Sequence, residues 1–299
     1  MSTLGAPAAS VVEPGLMLVP RLLTAAVGIP LLAGVMWAGQ PWLAVLIGII
    51  TLLAAVETGE LLARAGYPPA HGLLVLFGVG AVALAASWSA EAGWNTLGPM
   101  LAGWLVLLLT FALAAALRMA DGPAVLGSWV STVAGATYVA MLAFLLLISL
   151  TPAPGAGQGL LAEWLDDGRV WLLIVVLTVW AYDSAAYAVG RAYGRGRFFN
   201  HISPNKTWSG AIGGTVAAVA AAAILGGLTG RPLEGAGLGL LVSIAAPVGD
   251  LAESALKRAA DVKDSGRLFP GHGGMLDRVD AFVTVAPLAW LYLLAAGIA

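Results

Sequence analysis

Apolar stretches separated by short polar segments recur along the whole chain, and most are long enough to cross a lipid bilayer. A helix needs about 20 residues to cross the hydrocarbon core. The pattern predicts about nine such stretches, at 22–37, 42–56, 71–89, 98–117, 124–150, 170–189, 209–229, 235–250 and 281–298. The second and eighth are short, and the fifth is long enough to tilt or bend. We therefore predict an all-α, polytopic membrane protein with about nine transmembrane helices.

The composition narrows the class of protein. Of 299 residues, 60% are hydrophobic and 10% charged, and the mean hydropathy is +0.92. A soluble domain is about half apolar and a quarter charged, so a soluble enzyme with a single anchor is excluded. The formal net charge of −2 lacks the positive excess typical of nucleic-acid binders, and no nucleic-acid partner is expected. The absence of cysteine excludes disulfides and thiolate metal sites.

Basic residues predict the orientation, because Lys and Arg concentrate in cytoplasmic loops. With a cytoplasmic N-terminus, only Arg169 and Arg231 of the 14 basic residues fall on the outer side. We therefore predict a multi-pass protein of the cytoplasmic membrane with its N-terminus inside. Tryptophans at the ends of predicted spans are expected to anchor the membrane interfaces: Trp37, Trp42, Trp94, Trp171 and Trp208.

Charged residues are distributed unevenly along the chain, and this predicts a scaffold region and a separate catalytic region. Most charged residues lie between positions 183 and 280. We predict a flexible lead at 1–15, a transmembrane scaffold of about five spans at 16–150, and an acidic outer loop at 151–169. Residues 170–299 are predicted to form a catalytic region of about four spans that carries a cytoplasmic hairpin at 251–280.

The densest polar pattern lies at 249–280, with the sequence GDLAESALKRAADVKDSGRLFPGHGGMLDRVD. On a helix, Asp250, Glu253 and Ser254 share one face, and Asp277 and Asp280 form a second such pair. The FPGHGG segment between them must fold the chain back. Carboxylate and hydroxyl oxygens suit a hard cation such as Mg²⁺. The hairpin therefore predicts a magnesium site that includes Asp250, Ser254 and Asp277.

Phosphate-binding groups accompany these acids. The backbone amides of Gly273 and Gly274 could approach a phosphate closely. Basic side chains surround the acids: Lys257, Arg258, Lys263, Arg267 and Arg278. The plain alternative is a solvated loop beside the membrane. The position of Asp250 at the end of an apolar run favours a functional site, because a carboxylate there is costly unless paired or bound to a cation.

Other polar residues have both a structural and a functional interpretation. Asp183 could hydrogen-bond between helices or bind the metal in the same cleft. Lys206 could contact a phosphate, whereas Ser203 either contacts substrate or, like Thr207, caps the next helix. Arg191 is either an ordinary positive-inside residue or a group that steers anionic substrates.

The string from Ser254 to Asp280 resembles the signature of the phosphatidate cytidylyltransferases, also called CDP-diacylglycerol synthases. The defining positions present are Ser254, Lys257, Arg258, Lys263, Asp264, Gly266, Pro270, His272, Gly273, Gly274, Asp277, Arg278 and Asp280. The resemblance extends through AYDSAAYAVGR and SPNKTWSGAIGG, whereas earlier spans match only in general character. Asn205 and Ser209 depart from the family pattern and receive no role.

The resemblance implies condensation of CTP with phosphatidate, which gives CDP-diacylglycerol and pyrophosphate and requires Mg²⁺. In the family, acidic residues and a serine matching Asp250, Ser254 and Asp277 hold the metal, and a K⁺ ion is compatible beside it. For His272 we expect a hydrogen bond to phosphate rather than general-base chemistry. A homodimer is expected by analogy. The implied catalytic residues are Asp250, Lys257, Arg258, Lys263, Asp264, His272, Asp277, Arg278 and Asp280.

Two other functions stay open at this point. A cation-coupled secondary transporter could use Asp183 and Asp250 as ion sites, but this function does not explain the basic, glycine-rich hairpin. A CTP-dependent transferase could act on a different lipid phosphate.

Overall fold

In the computed structural model, the described residues are 18–152, 165–194, 196–197, 202–203, 205–268 and 273–298. The predicted lead at 1–15, most of the predicted outer loop and His272 lie outside them. The α-helices are α1 (Leu18–Ala38), α2 (Trp42–Arg64), α3 (His71–Ser87), α4 (Trp94–Met119), α5 (Pro123–Ala140), α6 (Ala143–Leu150), α7 (Asp167–Tyr193), α8 (Trp208–Gly227), α9 (Pro232–Ala259) and α10 (Leu276–Ala295). No strand forms among the described residues, so the all-α class is confirmed.

Seven helical segments of the described chain are long and apolar enough to cross a membrane. They are α2, α4, the pair α5 and α6, α7, α8, α9 and α10. Two shorter apolar helices correspond to Ala26–Ala38 within α1 and to α3. Every predicted stretch lies on one of these helices, and the fifth bends between α5 and α6. The polytopic class is confirmed, whereas the count of nine and the side of the N-terminus stay predictions.

Two helices are longer than their apolar stretches predict. The second stretch ends at 56, but α2 continues through Glu57 to Arg64, and the eighth ends at 250, but α9 continues to Ala259. The continuation of α9 confirms the helix predicted to carry Asp250, Glu253 and Ser254, whereas the pattern does not predict the continuation of α2. The helices continue because the carboxylates of Glu57 and Asp250 find partners on other elements.

Small residues let the C-terminal helices pack closely. Helix α8 buries a small residue at every fourth position from Gly210 to Gly226, and it lies between α7 and α9. A side chain at Gly239 of α9 would lie 2.5 Å from the Ala218 carbonyl oxygen of α8. Close backbone approach of this kind is typical of membrane helices. It gives α7, α8, α9 and α10 a compact frame, against which α2 and α6 pack, while α3 and α5 pack against α2.

The end of α1 is fixed to the start of α7. Asp166 caps α7 by accepting a hydrogen bond from the Arg169 amide at 3.0 Å. The Arg169 guanidinium donates to the carbonyl oxygens of Met36 and Trp37, both at 2.8 Å, and so satisfies the last turn of α1. The interfacial prediction for Trp171 is wrong: its side chain is only 1% exposed and lies in the core, because α7 begins four residues earlier.

Candidate active site

Helices α9 and α10 approach each other closely where α9 carries Gly249. A side chain at Gly249 would meet the Asp280 carbonyl oxygen and lie 2.6 Å from Thr284 Oγ1. The missing side chain therefore lets α10 lie directly against α9. This contact brings Asp250, the next residue of α9, beside Asp280 of α10.

Three carboxyl groups form a cluster at this crossing, which we call the carboxylate cluster. Asp250 and Glu253 come from α9 and Asp280 from α10, and one oxygen of each lies within 4.8 Å of those of the others. The Glu253 side chain is fully buried. Apart from its ion pair with Lys257, neither Glu253 oxygen accepts a hydrogen bond from a described residue. Carboxylates gathered this closely in a buried setting need nearby positive charge.

Lys257 supplies part of that charge. Its ammonium lies 2.5 Å from Glu253 Oε2 and 2.7 Å from Asp277 Oδ1. The exposed fractions of the three side chains are 13% for Lys257, 0% for Glu253 and 8% for Asp277. A single buried cation therefore joins α9 to α10.

Asp277 is occupied by protein donors on both oxygens. Its Oδ2 accepts hydrogen bonds from the Ser265 amide at 2.9 Å and the Gly274 amide at 2.7 Å, and it lies 2.8 Å from the Ser265 hydroxyl oxygen. Its Oδ1 accepts from Lys257. The amide of Gly274, predicted to face a phosphate, thus faces Asp277, and Gly273 beside it has a φ of 78°. In this arrangement Asp277 orders the chain around the start of α10.

A second buried carboxylate reaches the same turn from a distant part of the sequence. Glu57 of α2 accepts hydrogen bonds from the Met275 amide at 2.9 Å and the Leu276 amide at 2.8 Å, and its Oε2 lies 2.9 Å from the Ser265 hydroxyl oxygen. The Ser265 hydroxyl has one proton, so it donates either to Glu57 or to Asp277. The two amides belong to the first turn of α10, whose N–H groups have no partner within the helix. Glu57 therefore caps α10, although 219 positions separate it from Leu276.

Lys206 faces the other side of the carboxylate cluster. Its ammonium lies 2.7 Å from Asp250 Oδ2 and donates to the Pro247 carbonyl oxygen at 3.3 Å. The Ser254 hydroxyl donates to Asp250 Oδ1 at 3.3 Å, so two of the predicted metal ligands are in contact. Thr207 caps α8 by accepting from the Gly210 amide at 3.1 Å.

Some of these groups line one polar cavity of about 390 Å³, whereas Glu253, Ser254 and Lys257 lie behind its lining. The cavity brings together six of the residues predicted from sequence for substrate, metal or catalysis: Ser203, Lys206, Asp183, Asp250, Asp277 and Asp280. Tyr182 and Tyr187 of α7 form part of the wall. The cavity thus combines carboxylates that suit a divalent cation with an ammonium that suits a phosphate.

Several predicted residues lie outside this lining. Arg191 is exposed and donates to the Tyr187 hydroxyl at 3.0 Å. Arg258 is exposed and donates to the carbonyl oxygens of Ile202 and Val262, at 3.4 and 3.2 Å. Lys263 and Asp264 are exposed on the segment between α9 and α10. The structure therefore leaves their predicted roles untested.

A second, apolar cavity of about 570 Å³ lies between α1, α2, α7 and α10. Its lining includes Leu32, Met36, Leu43, Ile47, Val176, Trp180, Met275, Arg278, Val279 and Phe282. Arg278 is the one charged residue among its lining residues. On α10, Arg278 neighbours Ala281 of the polar cavity at i+3 and Phe282 of the apolar cavity at i+4. Arg278 therefore lines the apolar cavity one helical turn before a residue of the polar cavity.

Two residues of this site receive no role from the sequence. Helical spacing puts Glu253 on the face of Asp250, but nothing local shows that it is buried against Lys257. Glu57 directly follows an apolar stretch, and an acid at the edge of a membrane span is a signal of function. That signal identifies Glu57 as unusual, but it does not predict contact with Ser265, which is 208 positions away in the sequence.

The sequence is similar to one family of enzymes along nearly its whole length. Residues 19–296 match the sequence model of the Cytidylyltransferase family. The phosphatidate cytidylyltransferase of Mycobacterium bovis is 30% identical over 269 residues, which cover 89% of this chain and 85% of that protein.

Two further relatives share a shorter and more similar region. The phosphatidate cytidylyltransferase of Brucella suis biovar 1 is 50% identical over 128 residues, or 42% of this chain and 47% of the relative. That of Bacillus subtilis is 43% identical over 129 residues, or 42% of this chain and 48% of the relative. The chain thus spans about half the length of these two relatives.

Proposed function

Because the chain belongs to the cytidylyltransferase family, we propose that it transfers the cytidylyl group of CTP to phosphatidate, giving CDP-diacylglycerol and pyrophosphate. Relatives named phosphatidate cytidylyltransferase support this pair of substrates. The observation that carries the proposal is the polar cavity, which sets a carboxylate cluster beside Lys206 among membrane-spanning helices. Such a place suits a reaction between a soluble nucleotide and a lipid phosphate.

The proposed reaction does not need a strong general base. A phosphate oxygen of phosphatidate, already anionic at neutral pH, forms a bond to the α-phosphorus of CTP. The bond from that phosphorus to the oxygen bridging to the β-phosphate breaks, and pyrophosphate leaves with the electron pair. Catalysis then depends on positioning and on neutralising the charge that collects on the phosphate oxygens. Lys206 is the lining ammonium suited to that task.

Mg²⁺ is the cofactor that we propose for this reaction. Asp250, Glu253 and Asp280 are the residues that fit it, because their oxygens converge and those of Glu253 accept no other hydrogen bond from described residues. Bound there, the ion would supply charge neutralisation for the nucleotide phosphates. Ser254 supports Asp250 from the same helix. The predicted ligation by Asp183 and Asp277 and a K⁺ ion beside the Mg²⁺ stay predictions.

We propose that the apolar cavity receives an acyl chain of phosphatidate. Met275 and Leu43 both line this cavity. Met275 lies beside Glu57 of α2, and Leu43 lies 14 positions before Glu57 on the same helix. Because a helix rises 1.5 Å per residue, the cavity is about 20 Å long, which suits a hydrocarbon chain. Trp180 of this cavity precedes Asp183 of the polar cavity by three positions on α7. A lipid with its tail here would bring its phosphate past Arg278 toward the carboxylate cluster.

The chain is a multi-pass membrane protein, and its bacterial relatives favour the cell membrane as its location. We propose that the polar cavity opens to the cytoplasm, where CTP is found. The excess of basic residues on that side of the predicted topology supports this orientation. A homodimer stays a prediction by analogy.

A direct assay tests the proposal. Purified protein in detergent is incubated with α-labelled CTP, phosphatidate and Mg²⁺, and label is then measured in the lipid phase. We expect labelled CDP-diacylglycerol, and label that appears only with another lipid phosphate would support the alternative transferase.

The absence of any labelled lipid from folded protein would contradict the transferase proposal. Uptake of a cation into proteoliposomes, without CTP turnover, would instead favour the transporter. Folded protein is verified independently by size-exclusion chromatography and thermal unfolding, so that inactive and misfolded samples are distinguished.

A further inference from the structure

We infer that Glu57 is a positioning residue of the active site, acting through the first turn of α10 and through Ser265 on Asp277. This inference rests on the proposed function for its kinetic test. Glu57 belongs to α2, in the half of the chain whose sequence predicts only a scaffold. Its carboxylate nevertheless contacts the turn that carries Asp277.

The contacts of Glu57 are specific and buried. Its side chain is buried, its two oxygens accept hydrogen bonds from two amides at 2.8–2.9 Å, and Oε2 lies 2.9 Å from the Ser265 hydroxyl oxygen. Two of the donors are backbone amides at the start of α10, where a negative charge also interacts favourably with the helix dipole. The neighbouring glycines allow this approach, because a side chain at Gly266 or Gly274 would collide with the Glu57 carboxylate.

Ser265 connects the two carboxylates. Its hydroxyl oxygen lies 2.9 Å from Glu57 Oε2 and 2.8 Å from Asp277 Oδ2. The Asp277 amide in turn donates to this hydroxyl at 3.4 Å. Glu57 therefore fixes both the backbone that carries Asp277 and the serine that Asp277 binds.

A shift of the first turn of α10 would also move the carboxylate cluster, because a few direct contacts join the two. Asp277 pairs with Lys257, Lys257 pairs with Glu253, and Asp280 follows Asp277 by one turn on the same helix. A displacement of about 1 Å in a catalytic group can reduce turnover by about 100-fold. Loss of Glu57 should therefore slow the chemical step, although Glu57 does not line the polar cavity.

The test uses Glu57→Gln and Glu57→Ala, with Glu60→Gln as the matched control. Glu60 lies one turn further along α2, is 53% exposed and pairs only loosely with Arg64, at 3.8 Å. Glutamine keeps the length of the side chain but can accept only one of the two amide hydrogen bonds, and alanine accepts neither. We expect kcat per folded enzyme to fall about tenfold in E57Q and about 100-fold in E57A, with the KM for CTP nearly unchanged. E60Q should behave as wild type.

A double-mutant cycle separates positioning from a general effect on folding. If Glu57 acts through Ser265, the losses of kcat in E57Q and in Ser265→Ala should be strongly non-additive in the double variant. Additive losses, or a normal kcat per folded molecule in E57A, would overturn the inference.

Hydrogen exchange gives a readout that is independent of turnover. The amides of Met275 and Leu276 should exchange faster in E57A than in wild type and in E60Q. Unchanged exchange would also overturn the inference. A wild-type enzyme without transferase activity would instead contradict the proposed function, so the two failures are distinguishable.

Discussion

Replacing Lys257 with methionine should destabilise the protein far more than the loss of an ordinary surface charge. Its ammonium lies between two carboxylates, at 2.5 Å from Glu253 and 2.7 Å from Asp277, and all three side chains are at most 13% exposed. Methionine has a similar volume, so little cavity is created. The change instead leaves Glu253, which is fully buried, beside two other carboxyl groups without its counter-charge.

The expected cost follows from that burial. Removing one partner of a buried ion pair typically costs about 3–5 kcal/mol, because the other charge is left without compensation. The Asp277 carboxylate keeps hydrogen bonds from two backbone amides, so we assign most of the cost to Glu253. An exposed pair is worth only about 0–1 kcal/mol. Arg64→Met is the matched control, because the Arg64–Glu60 pair lies at 3.8 Å with both side chains more than half exposed.

The assay is reversible unfolding in mixed micelles, with the free energy of unfolding taken from the SDS titration. We expect K257M to lose about 3–5 kcal/mol and R64M to lose less than about 1 kcal/mol. The double variant E253Q/K257M should recover part of the loss, since it removes the uncompensated carboxylate. If K257M lost no more than R64M, the buried ion pairs described here would be wrong.

Three further variants test the proposed substrate and metal contacts by steady-state kinetics on folded protein. Asp280→Asn should raise the Mg²⁺ concentration for half-maximal activity about tenfold or more, because it removes one carboxylate of the cluster, whereas the exposed Asp261→Asn should not. Lys206→Gln should raise the KM for CTP about tenfold, equivalent to about 1.4 kcal/mol, and an unchanged KM would refute phosphate contact by Lys206. Ile47→Trp should raise the KM for phosphatidate without affecting that for CTP, because Ile47 lines the apolar cavity, whereas Ile49→Trp on the exposed face should have no effect; equal behaviour of the two would contradict the acyl-chain proposal.

Local sequence patterns predict the helices well and their ends less well. Apolar runs locate every helical region because a bilayer requires long apolar helices whose backbone groups are satisfied internally. The apolar stretches of α2 and α9 end near Glu57 and Asp250, although the spacing of Asp250, Glu253 and Ser254 predicts that the helix of α9 continues. The structure continues through both, because amides of α10 and the ammonium of Lys206 satisfy them.

The sequence predicts one contact of the candidate site and misses others. Helical spacing puts Asp250 and Ser254 on one face, and the structure has them in contact. Spacing cannot specify which acid on α10 faces α9, because that depends on the helix crossing at Gly249. The crossing brings Asp280 to the cluster and leaves Asp277 bound to Lys257 and to backbone amides.

The charges around the polar cavity suggest an order in which the proposed Mg²⁺ and CTP bind. Five carboxyl groups, those of Asp183, Asp250, Glu253, Asp277 and Asp280, gather around the ammonium groups of Lys206 and Lys257. Both ammonium groups are already paired with these acids. A nucleoside triphosphate that enters this region brings further negative charge close to these carboxyl groups, in a medium of low dielectric constant where repulsion is strong. If the proposed Mg²⁺ binds at the carboxylate cluster, we therefore expect CTP to bind together with the cation or after it.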